Sequence, residues 1–152
     1  MQISEAGLDL IKQSEGFSPR VYRDVAGIPT IGYGHRLYAG ESFPQGIGHL
    51  EAGKLLAGDV QSAQQAVQRL VKVPLTQGQF DALVDFCFNL GAGRLAASTL
   101  LRDLNAGDYQ AARRQLLSWD HAGAEEIEGL KARREAEFRL WGETASAGRQ
   151  AA

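Results

Sequence analysis

Apolar residues recur at helical spacing over most of this chain and alternate only briefly. After Ser4 and Glu5, Leu8 and Ile11 fall three apart and Glu15 follows on the same face. Ser4 offers an N-cap oxygen, Glu5 an acidic first turn and Gly16 a natural stop. The spacing predicts a helix over 5–15, with Glu15 closing its apolar stripe. Residues 20–24 alternate, Val25-Ala26-Gly27-Ile28-Pro29 reads as a loop, and 30–35 reads as a second strand. This predicts a β-hairpin, with a third strand near 41–44. So few strands do not stand alone and must pack on helices.

From residue 49 onward the period is helical. A long helix is expected over 49–71, ended by Pro74. Another starts at Thr76-Gln77-Gly78-Gln79 and carries Phe80, Leu83, Val84, Cys87 and Phe88 at helical spacing, until Gly91-Ala92-Gly93 breaks it. Further helices are expected near 98–105, 109–119 and 130–141, with a small polar tail over 142–152 that frays. The fold class is α+β. A small N-terminal lobe holds the hairpin or short antiparallel sheet, and a larger helical C-terminal lobe is joined to it by the long helix. A chain of 152 residues suits one such domain with a working core.

Composition adds mainly exclusions. The chain is 44% hydrophobic and 22% charged, and no run approaches the roughly 20 apolar residues of a membrane helix. Met1-Gln2-Ile3-Ser4-Glu5 carries neither a basic start nor an apolar core, so neither signal peptide nor membrane insertion is expected. The single cysteine, Cys87, excludes an intramolecular disulfide and reads as a buried, inert thiol. A net charge of −2 argues against broad nucleic-acid binding. Basic residues gather in the second half, where they could face an anionic polymer, although glutamates between 125 and 137 dilute them. His35, His49 and His121 lack ligand spacing, and no nucleotide motif appears, so neither metal nor cofactor is expected.

The chemistry concentrates between residues 15 and 35. Glu15 and Asp24 lie nine apart, one closing a helix and the other a strand. Glu15, extending an apolar stripe, should be partly desolvated and favour its proton, whereas Asp24 at a hairpin mouth should stay ionised. Two carboxyl groups with split roles are what glycoside hydrolysis requires. Asp24 and Thr30 bracket five loop residues, so a hairpin closing there would set them face to face, able to hold one water between them. Gly32 and Gly34 leave their strand bare, so a sugar ring could approach at Gly32.

Taken together, Glu15-Gly16, Tyr22-x-Asp24, Gly27 and Thr30-Ile31-Gly32-Tyr33-Gly34-His35 resemble the phage-type lysozymes, or endolysins, glycoside hydrolases of bacteriophages. The resemblance continues through 79–91, Ser98-Thr99-Leu100-Leu101, 105–109, Trp119 and Gly129-Leu130-x-x-Arg133-Arg134-x-x-Glu137, up to about Trp141. It implies a lysozyme fold with its cleft between the two lobes. Glu15 matches the general acid, Asp24 the second carboxylate and Thr30 the residue that helps place the attacking water, in an inverting reaction. The implied substrate is the β-1,4 bond between N-acetylmuramic acid and N-acetylglucosamine in a peptidoglycan glycan strand. Phe88, Asn89 and Thr99 match positions lining the cleft from the helical lobe, and at least one of Arg133 and Arg134 should be structural. The implied partners are the glycan and a separate holin-like release factor. The protein would be a monomer held in the host cytoplasm until released to the wall.

The chain departs from the family pattern over 120–128, which is acidic where a Gly-Gly pair and a basic residue are usual, and over 39–50, which carries three glycines. Two rival readings stay open on the residues alone. One is a wall-binding module without catalysis, against which the intact Glu15, Asp24 and Thr30 set argues. The other is a glycosidase of chitin-like polymers, which share the N-acetylglucosamine backbone.

Overall fold

The computed structural model describes the backbone of residues 1–122 and 125–151 and the side chains of residues 1–121 and 127–142. The chain divides into two compact units. One comprises Ile11–Ser62; the other comprises Met1–Leu10 with Ala63–Ala152.

The first helix, α1, spans Glu5–Glu15 as the pattern predicts. The Ser4 hydroxyl accepts the Gly7 N–H at 3.4 Å. At the other end Gly16 turns to φ +73° and donates its N–H to Lys12 O at 2.9 Å. A left-handed glycine after the last helical residue stops a helix because any other side chain there is strained.

In the unit of Ile11–Ser62, three short strands form one antiparallel sheet in the order β1-β2-β3. They are β1 (Ser18–Arg23), β2 (Pro29–Gly32) and β3 (His35–Arg36). The single strand expected over 30–35 is therefore two strands. Gly32 at φ +66° and Gly34 at φ +76° reverse the chain around Tyr33, a conformation open to glycine at little cost. The third strand lies at β3 and not near 41–44. That segment is held by turns, with Glu41 N–H on Tyr38 O and Gly46 N–H on Phe43 O, both at 3.0 Å. Ile31, Ile47 and Ala52 form a core cluster in this unit, with Phe17, Tyr33, Leu37, Phe43 and Leu55 packed around it. Ala52 comes from the long helix α2 (His49–Leu70).

The other unit is helical. Its centre is α3 (Gln77–Leu90), which is buried from Gly78 to Cys87. A helix buried on every side belongs inside a bundle, where its polar groups need partners. Thr76 and Gln79 close a reciprocal capping box at its start, and Gly91 at φ +98° ends it. The break expected at 91–93 falls at Gly91, and Ala92 and Gly93 already belong to a short helix, α4 (Ala92–Ala96). After it come α5 (Thr99–Asn105), capped by Ser98, and α6 (Tyr109–Leu116), capped by Asp108. α6 stops short of Trp119, whose N–H turns back to Leu116 O. A small hairpin that periodicity does not predict follows, β4 (His121–Ala122) against β5 (Glu125–Glu126). The last helix, α7 (Glu128–Ala151), packs along α3. The side chains of 143–152, on which the expectation of a fraying tail falls, lie outside the described residues.

Candidate active site

Glu15 sits half-buried at the C-terminal end of α1. Its carboxyl group lies against the backbone of Gly34 in the β2–β3 turn. A Cβ on Gly34 would come within 2.6 Å of Glu15 Oε1. Only a residue without a side chain leaves the carboxyl where it is. Gly34 was read from sequence as bare strand; its place beside Glu15 depends on the turn that splits 30–35.

Asp24 is fixed by its own loop. Its Oδ1 accepts the N–H groups of Ala26 and Ile28, each at 2.9 Å. This Asx-type pairing lets the chain turn without an orphaned donor. The guanidinium of Arg36 on β3 lies 3.4 Å from Oδ2. Thr30 is buried at 3% exposure on β2, and its hydroxyl donates to Ile28 O at 2.8 Å. The same carbonyl accepts the Asp24 N–H at 3.0 Å. One peptide unit, that of Ile28, therefore anchors both residues.

The cross-strand arrangement differs from the expected one. Thr30 stands opposite Tyr22, and Arg23 opposite Pro29, so Asp24 and Thr30 are not paired residues. They meet through Ile28, which sequence reading treated as loop filler. The Tyr22 phenol is pushed above its ordinary pKa, first by burial and then by the negative charges of Glu15 and Asp24. Tyr22 thus lies within electrostatic reach of both carboxyl groups. Gly32 has a different reason to be glycine from the one expected. It is buried, and a Cβ there would lie 3.1 Å from Ala52 Cβ and 3.3 Å from Ile47 Cδ1. Its bare side meets the core, leaving no room there for a sugar ring.

Beside these groups His35 is buried, with Nδ1 2.8 Å from Asp59 and Nε2 2.9 Å from Glu41. Burial alone would lower its pKa; the two carboxyl partners outweigh that and raise it. Glu41 also accepts the Tyr38 N–H, and that bond, with His35, holds its carboxyl below the usual range. The histidine thus ties β3 to α2 through Asp59.

In the helical unit Phe88 and Asn89 are half-buried at the end of α3, and Thr99 is exposed at the start of α5. Arg102 Nη2 donates to Thr99 Oγ1 at 3.2 Å, and Arg134 Nη2 donates to Asn89 Oδ1 at 2.9 Å. Both Arg133 and Arg134 are structural. Arg133 grips Asp85 with bonds of 3.0 Å from Nε and 2.8 Å from Nη2, while Arg134 Nη2 reaches Glu137 at 2.7 Å. Burial favours the neutral form of Asp85, but Glu137 and the two guanidiniums outweigh it and lower its pKa. Glu137 goes the other way, raised well above the usual range by burial and by its hydrogen bond with Asp85. Cys87 is buried, and burial raises its thiol pKa, which makes it the inert group expected.

Fold and site together define a lysozyme-like α+β protein. The muramidase domain of SpmX from Asticaccaulis excentricus shares the fold with a TM-score of 0.83 and 35% identity, over 92% of this chain and 97% of that one. A mutant of P22 lysozyme matches with a TM-score of 0.83 and 40% identity, over 93% and 98% of the two chains. The phage lysozyme family model matches residues 12–137, and the chain belongs to that family. The endolysin of Bacillus phage B103 is 46% identical over 144 residues, which is 93% of this chain and 54% of the phage protein. The endolysin of Salmonella phage P22 is 44% identical over 126 residues, covering 81% of this chain and 86% of its own length. The chain thus spans about half the length of the first relative and most of the second.

Proposed function

We propose that the protein is an endolysin-type muramidase, hydrolysing the β-1,4 bond between N-acetylmuramic acid and N-acetylglucosamine in bacterial peptidoglycan. The observation that carries this reading is the common anchoring of Asp24 and Thr30 on Ile28, beside a Glu15 carboxyl seated on Gly34. Glu15 is the general acid that protonates the leaving glycosidic oxygen. Asp24 is the general base, and Thr30 positions its water.

The hydrogen bonds support a particular orientation for that water. The Thr30 hydroxyl spends its proton on Ile28 O, so towards a water it acts only as an acceptor. Asp24 Oδ1 is occupied by two backbone donors, while Oδ2, paired with the Arg36 guanidinium at 3.4 Å, keeps a lone pair for a further proton. A water giving one hydrogen to Thr30 and the other to Asp24 Oδ2 turns a lone pair towards the sugar. As that lone pair attacks the anomeric carbon, Asp24 takes the proton and Glu15 gives its own to the leaving oxygen. Attack from the face opposite the leaving group inverts the anomeric centre.

In this reading Phe88, Asn89 and Thr99 are further glycan contacts. The site of action is the host cell wall. A membrane-permeabilising factor of the holin type is the release partner proposed for a monomeric enzyme, and among the described residues no helix is long and apolar enough to cross a membrane. Proton NMR of the first product tests the mechanism: the α-anomer should appear before mutarotation. Thr30→Ala should slow that reaction about a hundredfold or more, at the low end of what positioned acid–base groups contribute. A β-anomer as first product would instead make Asp24 a nucleophile.

A further inference from the structure

Beneath Asn89 lies a chain of buried charged groups that the proposed reaction does not use. Asp85, Arg134 and Glu137 are completely buried, and Arg133 nearly so. Arg134 Nη2 has two N–H bonds and both are committed, one to Asn89 Oδ1 at 2.9 Å and one to Glu137 Oε2 at 2.7 Å. The guanidinium carbon also sits 5.2 Å from the centroid of the Phe86 ring. Glu137 Oε1 is buried with no group donating to it. A buried ionised carboxylate with an empty oxygen is costly. A neutral acid that donates from that oxygen to Asp85 removes the conflict. The charges facing Glu137 are Asp85 from α3 and Arg133 and Arg134 from its own helix.

An asparagine amide has an acceptor end and a donor end. The bond from Arg134 settles which is which, because a guanidinium only donates. The Asn89 oxygen points inward, and its NH2 group is the end left to donate to a ligand. We infer that Glu137 and Arg134 are positioning residues for glycan recognition: Glu137 holds Arg134, and Arg134 fixes Asn89 as an N–H donor to a carbonyl oxygen of the substrate. An acetamido carbonyl on an N-acetylated sugar is an acceptor of that kind. This rests on the proposed reading of Asn89 as a glycan contact.

The test measures KM and kcat of the full chain on soluble, uncross-linked peptidoglycan fragments, with folding followed by circular dichroism. Asn89→Asp keeps the inward oxygen and replaces the outward donor by an acceptor. It should raise KM about tenfold, the effect of one hydrogen bond, with kcat little changed. Glu137→Ala should raise KM similarly, and the double variant should be no worse than Asn89→Asp alone, because the two act in series. Glu137→Gln can accept from Arg134 and donate to Asp85, so it should restore the wild-type KM. An unchanged KM in Asn89→Asp, additive effects in the double variant, or a Glu137→Gln as impaired as Glu137→Ala would each overturn the inference. Should Glu137→Ala not fold, Asn89→Asp and Glu137→Gln decide it alone. A wild-type protein without activity overturns the muramidase reading and this inference together; an active wild type with an unaffected Asn89→Asp overturns only the inference.

Discussion

Glu15 and Gly34 constrain one another closely. Gly34 is at φ +76°, and the space its side chain would fill is taken by the Glu15 carboxyl. Gly34→Ala therefore meets two penalties. The left-handed backbone costs about 1–2 kcal/mol for a residue with a Cβ. The carboxyl, being the free end of a flexible side chain, moves aside. The second penalty follows from the role proposed for Glu15: a proton donor displaced by about 1 Å loses on the order of a hundredfold in rate. The expected outcome is a folded protein with a slightly lower melting temperature and a far larger fall in kcat. Thermal melts and kcat measured on the same preparation check this, and equal proportional losses would count against it.

Between elements, two connections can be tested without touching the carboxyl groups. Thr76 caps α3, and its hydroxyl accepts the Gln79 N–H at 3.2 Å. Thr76→Ala should cost about 1 kcal/mol in chemical denaturation and leave kcat unchanged. The link from β3 to α2 depends on pH. His35 has a raised folded pKa, so its contribution is complete below the ordinary imidazole value and is lost as pH rises through the folded one. Glu41 has a lowered one, so its contribution is lost as pH falls through that value. Asp59 opposes it: burial raises its pKa despite His35, so protonation at acid pH favours the folded state there. Replacing His35 by Asn should thus lower the melting temperature more at about pH 5 than at about pH 9, the two sides of the imidazole range. A penalty equal at both would show that the ring contributes packing alone.

Sequence reading succeeded at this scale where the signal was local. Ser4 and Gly16 delimit α1, and Thr76 with Gln79 marks the start of α3, because caps act within three or four residues. It failed where backbone handedness decides. Nothing in the alternation of 30–35 distinguishes a glycine in an extended strand from Gly32 and Gly34 at positive φ, and so one strand was expected where two occur. The short α4 and the β4–β5 hairpin carry too few residues for a period to register.

For the molecule as a whole, the three residues proposed for catalysis stand out before any coordinates, because the string from Glu15 to His35 resembles the phage-type lysozymes. Their connections do not. Asp24 and Thr30 meet at a peptide unit, and Glu15 meets a glycine that looked like strand. The Asp85–Arg133 pair joins residues 48 positions apart, and no local pattern announces such a contact. The long helix over 49–71 was expected to join the two lobes, and one division of the chain falls inside α2; the other, inside α1, has no signal in the sequence pattern. The chemistry is thus encoded in residue identity, while its geometry depends on register and handedness.

Whether Glu15 drives muramidase chemistry is decided by the new reducing ends released from purified peptidoglycan, read by mass spectrometry for wild type and Glu15→Gln in parallel. Wild type should leave N-acetylmuramic acid at every new end, and a folded Glu15→Gln protein should release nothing. N-acetylglucosamine ends, or equal release by both proteins, would contradict this assignment.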